Sequence, residues 1–164
     1  VLNIVVNITR AIPFLILLIA VIPLTRLITG TTIGSTATIV PLVIAAAPFI
    51  ARLVESSIKE VDYGIIEASL SMGASTMQVV TKVMIPEAKP SLIIGAAIAT
   101  TTILGYSAMA GIVGGGGLGD IAIRFGYYRY ETGMMVITVV LLVLIVQLFQ
   151  EVGMKIAQKQ DRRK

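Results

Sequence analysis

The chain has 164 residues, 56% of them hydrophobic and 13% charged, with a formal net charge of +4 and a mean hydropathy of +0.94. Ordinary globular domains carry about 25% charged residues, so this composition excludes a water-soluble domain and fits a chain made for a bilayer. Cysteine and histidine are both absent, which removes disulfide frameworks, thiolate metal sites and the usual residues of zinc chemistry and histidine acid–base catalysis.

The chain opens on Val-Leu-Asn-Ile-Val-Val-Asn-Ile, neither a signal peptide nor a full span, as expected of a fragment lacking its true N-terminus. Asn3, Asn7 and Arg10 fall at helical spacing, which fits either an amphipathic interfacial helix or the cut end of a longer one. A bilayer core needs about 20 mostly apolar residues per helix, and four stretches are expected to meet it, at about 13–28, 36–53, 92–112 and 133–149. The first two are short and interrupted by Pro13, Pro23, Pro41 and Pro48. Between them, Gly30 and Gly34 among threonines mark a short external turn.

Four spans put both ends on one side. If that side is the cytoplasm, it holds Arg10, Arg52, Lys59, Lys82, Lys89, Lys155, Lys159, Arg162, Arg163 and Lys164, against Arg26, Arg124 and Arg129 outside, as the positive-inside rule requires. The same rule accounts for the net charge without nucleic acid, since the basic residues are not clustered with aromatics. The basic tail from Lys159 to Lys164 is either an anionic-lipid contact or a solvated terminus.

Most of the acidic residues gather in one insert of about 35 residues, 55–89, too long for an idle connector. Ile65, Ile66, Ala68, Leu70 and Met72 give an apolar stripe, Gly73 permits a sharp turn, and Ser75-Thr76-Met77-Gln78 has the form of a capping box. A second short helix through Met77, Val79, Val80, Val83 and Met84 is expected to stop at Pro86, with Pro90 suited to the first turn of the next span. In that span Thr100, Thr101 and Thr102 interrupt the apolar run, followed by Tyr106, Ser107 and Met109. These residues either line a translocation path or, for the threonines, bond their own backbone one turn back. Gly95, Ala96, Ala97 and Ala99 favour close helix packing.

Gly114 to Gly117 lack the lysine of a phosphate loop and the strand context of a dinucleotide fold. An extended external turn near a gate is expected there, with a plain flexible loop as the alternative. Asp120 and Arg124 stand four apart, on one helical face. With Tyr127, Tyr128, Arg129, Tyr130 and Glu131 they make a polar, aromatic external surface, either a partner contact or an interfacial aromatic belt. No charged residue lies clearly mid-membrane, which argues against proton or sodium coupling.

The insert resembles the cytoplasmic-loop signature of bacterial ABC importer permeases: Glu-Ala-Ala, three residues, Gly, nine residues, Ile-x-Leu-Pro. Glu67-Ala68-Ser69, Gly73 and Val83-Met84-Ile85-Pro86 keep every spacing, with departures at Ser69, Val83 and Ile85. Arg10 to Phe14, Ala46 to Arg52 and Gly105 to Asp120 are further similar to the methionine-importer permeases, so the resemblance covers essentially the whole chain.

That resemblance implies an all-α polytopic membrane protein with four of five transmembrane helices present, the first missing, and a coupling loop at 55–89 within one permease domain. It implies a homodimer in the inner membrane, with the C-terminus and coupling loop cytoplasmic. Its partners would be two ATPase subunits that carry the ATP and Mg, and a periplasmic or lipoprotein substrate-binding protein. The chain itself would hold no cofactor and catalyse no chemistry. Glu67, Ala68, Ser69, Gly73, Ile85 and Pro86 would couple to the ATPase. Thr101, Tyr106, Ser107 and Met109 are the candidates for the path or gate, and Asp120, Arg124, Tyr127 and Arg129 for the binding-protein contact. A permease for another amino acid, a quaternary amine or a sulfonate shares the loop signature, and a secondary transporter lacks a use for it.

Overall fold

The computed structural model describes residues 6–8 and 11–160. The expected opening helix with Asn3 and Arg10, and the basic tail from 161 to 164, lie outside these residues. All regular structure among the described residues is helical.

The first expected span is instead two helices, α1 (Phe14–Ala20) and α2 (Ile22–Thr29). Pro23 has no N–H to give the carbonyl one turn back, and its ring crowds that carbonyl. The backbone therefore flattens at Val21 (φ −90°, ψ −2°). Bonds from Val21 to Leu17 and from Thr25 to Val21 persist, so the two pieces follow one another across a kink. Gly30, left-handed at φ 74°, ends α2.

The second expected span is not interrupted. Helix α3 (Ser35–Lys59) runs 25 residues straight through Pro41 and Pro48, as membrane helices tolerate when neighbours satisfy the freed carbonyls. Its last turns carry an ion cluster in which Glu55 receives Arg52 at 2.8 Å and Lys59 at 2.6 Å. Helix α4 (Tyr63–Ser71) and helix α5 (Thr76–Val79) then form the insert.

Pro86 does not stop the second helix of that insert. Helix α5 passes through a π-helical turn (Val80–Met84) into α6 (Ile85–Met109) and a 3-10 turn (Ala110–Val113). The run 76–113 is thus one 38-residue rod. The wider turn, in which the Ile85 N–H reaches back to Val80, holds one residue more than an α turn and accommodates the proline. Pro86 then sits in the first turn of α6, where its missing N–H costs little. Pro90 lies inside α6, beyond its expected first-turn place. After α7 (Gly117–Ile121) and a second π turn (Ala122–Tyr127), α8 (Thr132–Gln160) closes the described chain. Three helical runs, 35–59, 76–113 and 132–159, are long and apolar enough to cross a membrane.

Helix α6 lies between α3 and α8. Gly95 faces Leu53 and Ser57 of α3, and Ala97 packs so tightly on Gly153 of α8 that a Cβ on Gly153 would collide with it. Buried Ser57 accepts a hydrogen bond from the Ser91 hydroxyl at 3.1 Å, joining α3 and α6. Phe14, Leu18 and Ala110 form a small core at the other end of α6.

The glycine-rich segment is neither extended nor loose. Gly111 lies against the backbone of Gly119 and Asp120, and a Cβ on Gly119 would collide with the carbonyl of Ala108. The Gly34 N–H also donates to the Gly114 carbonyl at 3.0 Å, tying this segment to the start of α3. Gly119→Ala should therefore destabilise the full-length protein by about 1–3 kcal/mol, the usual cost of overpacking, read as a lower Tm in detergent. Gly133→Ala, where a Cβ meets open space, should leave Tm unchanged or raised.

Candidate coupling turn and transport surfaces

The turn between α4 and α5 is built from local signals. Asp62 caps α4, its Oδ1 accepting the Gly64 N–H at 2.6 Å. At the other end the N–H of Gly73 donates to Leu70 and that of Ala74 to Ser69, the paired bonds of a Schellman motif. That motif needs a left-handed residue, and Gly73 supplies it at φ 83°. The expected capping box is present: Ser75 Oγ accepts the Gln78 N–H, and Gln78 Oε1 accepts the Ser75 N–H at 2.9 Å. Helix α4 packs back on α5 and the π turn.

This pair of helices has an inner and an outer face. Val79 is 3% exposed and Ser69 is buried, with the Ser69 hydroxyl donating to the Ile65 carbonyl at 2.8 Å. Glu67, Ala68, Gly73, Ile85 and Pro86 are all exposed. Of the six expected coupling residues, then, five are presented outward and Ser69 is an inward anchor. Glu67 makes no ion pair or hydrogen bond among the described residues. The same helix pair exposes the apolar side chains of Ile65, Leu70, Met72 and Met77. An apolar patch carrying a free carboxylate, on a backbone fixed by its own caps, is suited to seat in a groove of another protein.

The expected path residues do not share one face. Tyr106 is stacked flat on Phe14, centroids 4.5 Å apart at 8°, so its ring belongs to the packing of α1 on α6. Ser107 and Met109 are exposed. Thr101 donates its hydroxyl to the Ile98 carbonyl at 3.0 Å, and Thr100 and Thr102 bond back to Ala96 and Ile98 in the same way. At 3.6 residues per turn, Ser107 lies over Thr100, seven residues earlier, more nearly than over Thr101. Thr100 also borders an apolar cavity of about 260 Å³ between α3 and α6, with Leu53, Gly95 and Ile103 among its walls.

Asp120 and Arg124 pair at 2.8 Å, as their spacing predicts. Tyr127 and Tyr128 are exposed and meet edge to face at 5.4 Å. Arg129 lies 4.7 Å over the Phe125 ring, a cation–π contact. Tyr130 is 88% exposed and left-handed at φ 58°, an unusual conformation for a non-glycine residue. The four expected residues Asp120, Arg124, Tyr127 and Arg129 thus lie on one short segment, α7 through the second π turn to the start of α8.

Two contacts had no signal in the sequence. Ser57 and Ser91 are 34 positions apart, and each alone reads as a polar residue near a span end. Phe14 and Tyr106 belong to elements far apart along the chain, and only packing reveals their stack.

Over residues 1–155 the chain matches the family described as binding-protein-dependent transport system inner membrane component. It is 52% identical over 159 residues to a probable D-methionine transport system permease protein MetI of Vibrio cholerae, covering 97% of this chain and 71% of that protein. It is 43% identical over 159 residues to the methionine import system permease protein MetP of Bacillus subtilis, covering 97% and 72%. Among solved structures it is similar to the MetNI methionine ABC transporter in an inward-facing conformation. The TM-score is 0.94 at 51% identity, over 98% of this chain and 74% of that one. The chain belongs to the family of binding-protein-dependent transport system inner membrane components.

Proposed function

We propose that this chain is the membrane-spanning subunit of an ATP-driven methionine importer, and that the turn at Gly73 is where it receives force from a separate ATPase. The observation that carries the reading is that turn. It keeps the importer signature spacing on an exposed, self-capped helix pair, in a chain whose relatives are named for methionine transport along nearly all of its length.

In this reading Glu67, Ala68, Gly73, Ile85 and Pro86 face the ATPase, while Ser69 holds α4 in place from behind. ATP-driven closure of two ATPase subunits moves the turn, and α6, being continuous with it, moves as well. Two copies of the permease enclose the path, with Ser107, Met109 and the Thr100–Thr101 turn as its candidate lining. Tyr106 serves to fasten α1 to α6. Likeness to an inward-facing transporter supports assigning the present conformation to the resting, cytoplasm-open state. ATP must favour the outward state over this one, since only differential binding shifts such an equilibrium. The surface from Asp120 to Arg129 faces outward, toward a binding protein that delivers the amino acid.

Reconstituted as the full-length complex, the transporter should take up labelled methionine only with ATP, and unlabelled methionine should compete where quaternary amines and sulfonates do not. Competition by those solutes in place of methionine would overturn the cargo. Glu67→Ala should lower uptake with the fold intact. Gly73→Ala should also cost about 1 kcal/mol of stability or more, because alanine is strained at positive φ. Wild-type uptake in both would remove the turn from the coupling path. A cysteine replacing Tyr130 should react with an impermeant thiol reagent in intact cells, and labelling only after lysis would reverse the orientation.

A further inference from the structure

The chain has seven methionines, and the two most exposed, Met72 at 82% and Met77 at 71%, flank the Gly73 turn. The remaining five are partly covered or less exposed, on the first π turn, α6 and α8. Both side chains stand on the exposed outer side of the helix pair, and the backbone at each is held in place. The Met72 N–H is held by the Ala68 carbonyl, the Met77 carbonyl accepts the Thr81 hydroxyl at 2.7 Å, and the inner position of α5 is filled by buried Val79. Two thioethers therefore stand in the outer face, beside Leu70 and Ile65, on the element with which this chain meets its partner.

A thioether is the one apolar side chain that a mild oxidant turns polar without breaking the chain. Its sulfur attacks one oxygen of hydrogen peroxide, the O–O bond breaks, and a sulfoxide forms as the departing hydroxide takes up the remaining proton to leave as water. Sulfur gives two electrons and the peroxide accepts them. The sulfoxide carries a strong, chiral acceptor dipole into what was an apolar contact, and reductases return it to the thioether.

We propose that Met72 and Met77 make the coupling turn an oxidation-sensitive contact: a peroxide converts both to sulfoxides and weakens docking of the ATPase, and methionine sulfoxide reductase restores it. This rests on the reading of the turn as the ATPase contact.

The test treats full-length permease in detergent with hydrogen peroxide, destroys the excess with catalase, and only then adds the ATPase, so that neither partner nor substrate is oxidised. Peptide mass spectrometry locates the added oxygen, and ATPase affinity is measured before and after. Sulfoxide is expected at Met72 and Met77, with affinity falling about tenfold, roughly the cost of one polar group buried without a partner, and recovering with the reductase. In the double variant Met72→Leu, Met77→Leu, the ratio of affinities before and after peroxide should stay near one, whatever the variant's own affinity. The proposal is overturned if Met72 and Met77 remain unmodified while other methionines react, if they are modified without loss of affinity, or if the double variant loses as much as the parent. Should Gly73→Ala and Glu67→Ala uncouple transport while the sulfoxides do nothing, the coupling reading stands and only the oxidation switch fails. Should none of these changes matter, the coupling reading fails with it.

Discussion

The structure depends on how closely α6 approaches its neighbours. A lipid solvent gives no hydrophobic reward for pressing two apolar helices together, so association rests on short-range packing and on small residues that let backbones meet. Gly95 against α3 and Ala97 against Gly153 of α8 supply that on two sides of one helix, and the Ser91–Ser57 hydrogen bond closes the seam on the α3 side. Large apolar side chains are left to face outward, as along α8, where Val136, Val140, Leu144 and Leu148 are all exposed. The result is a thin bundle whose buried set is dominated by alanines.

At the two ends of α6 the chain is controlled in different ways. The turn at Gly73 is fixed by bonds within a few residues of sequence: the Asp62 cap, the Schellman pair around Gly73 and the Ser75–Gln78 box. It therefore presents the same outer face whether or not the bundle around it shifts. The opposite end is fixed by contacts between segments. Gly111 meets Gly119 and Asp120, and Gly34 reaches Gly114, so its shape is tied to the position of α3. A local structure is suited to being gripped, and a tertiary one to responding.

This difference also decides what could be read from the sequence. The turn at Gly73 and its capping box were legible because each signal acts over a few residues, whereas the Asp62 cap and the inward place of Ser69 were not read. Three of the four expected spans were legible from composition, but their ends were not, and the first is two short helices among the described residues. Pro41 and Pro48 read as interruptions under rules drawn from helices in water, and Pro86 read as a stop because nothing in its neighbours announces a π turn. Gly114 to Gly117 read as an open turn, since the residues that make the segment compact are Gly111 and Gly119 meeting each other and Ala108. Tyr106 read as a path residue, and its stack on Phe14 joins elements too far apart along the chain to be read from the sequence. Of the candidate site, the expected coupling residues came from the resemblance to the importer signature, while placing the expected path residues required knowing which side of α6 each neighbour occupies.

The unbroken run from Thr76 to Val113 has a mechanical consequence. Its close crossing with α8, Ala97 on Gly153, lies about 30 Å from the Gly73 end and about 24 Å from the far end at 1.5 Å per residue. The rod is in effect a see-saw with a fulcrum near its middle. If the Gly73 end were displaced about that crossing, the far end would move the opposite way, in proportion to its shorter arm. A continuous run held at a close crossing can carry a displacement from one end to the other without a relay of side chains.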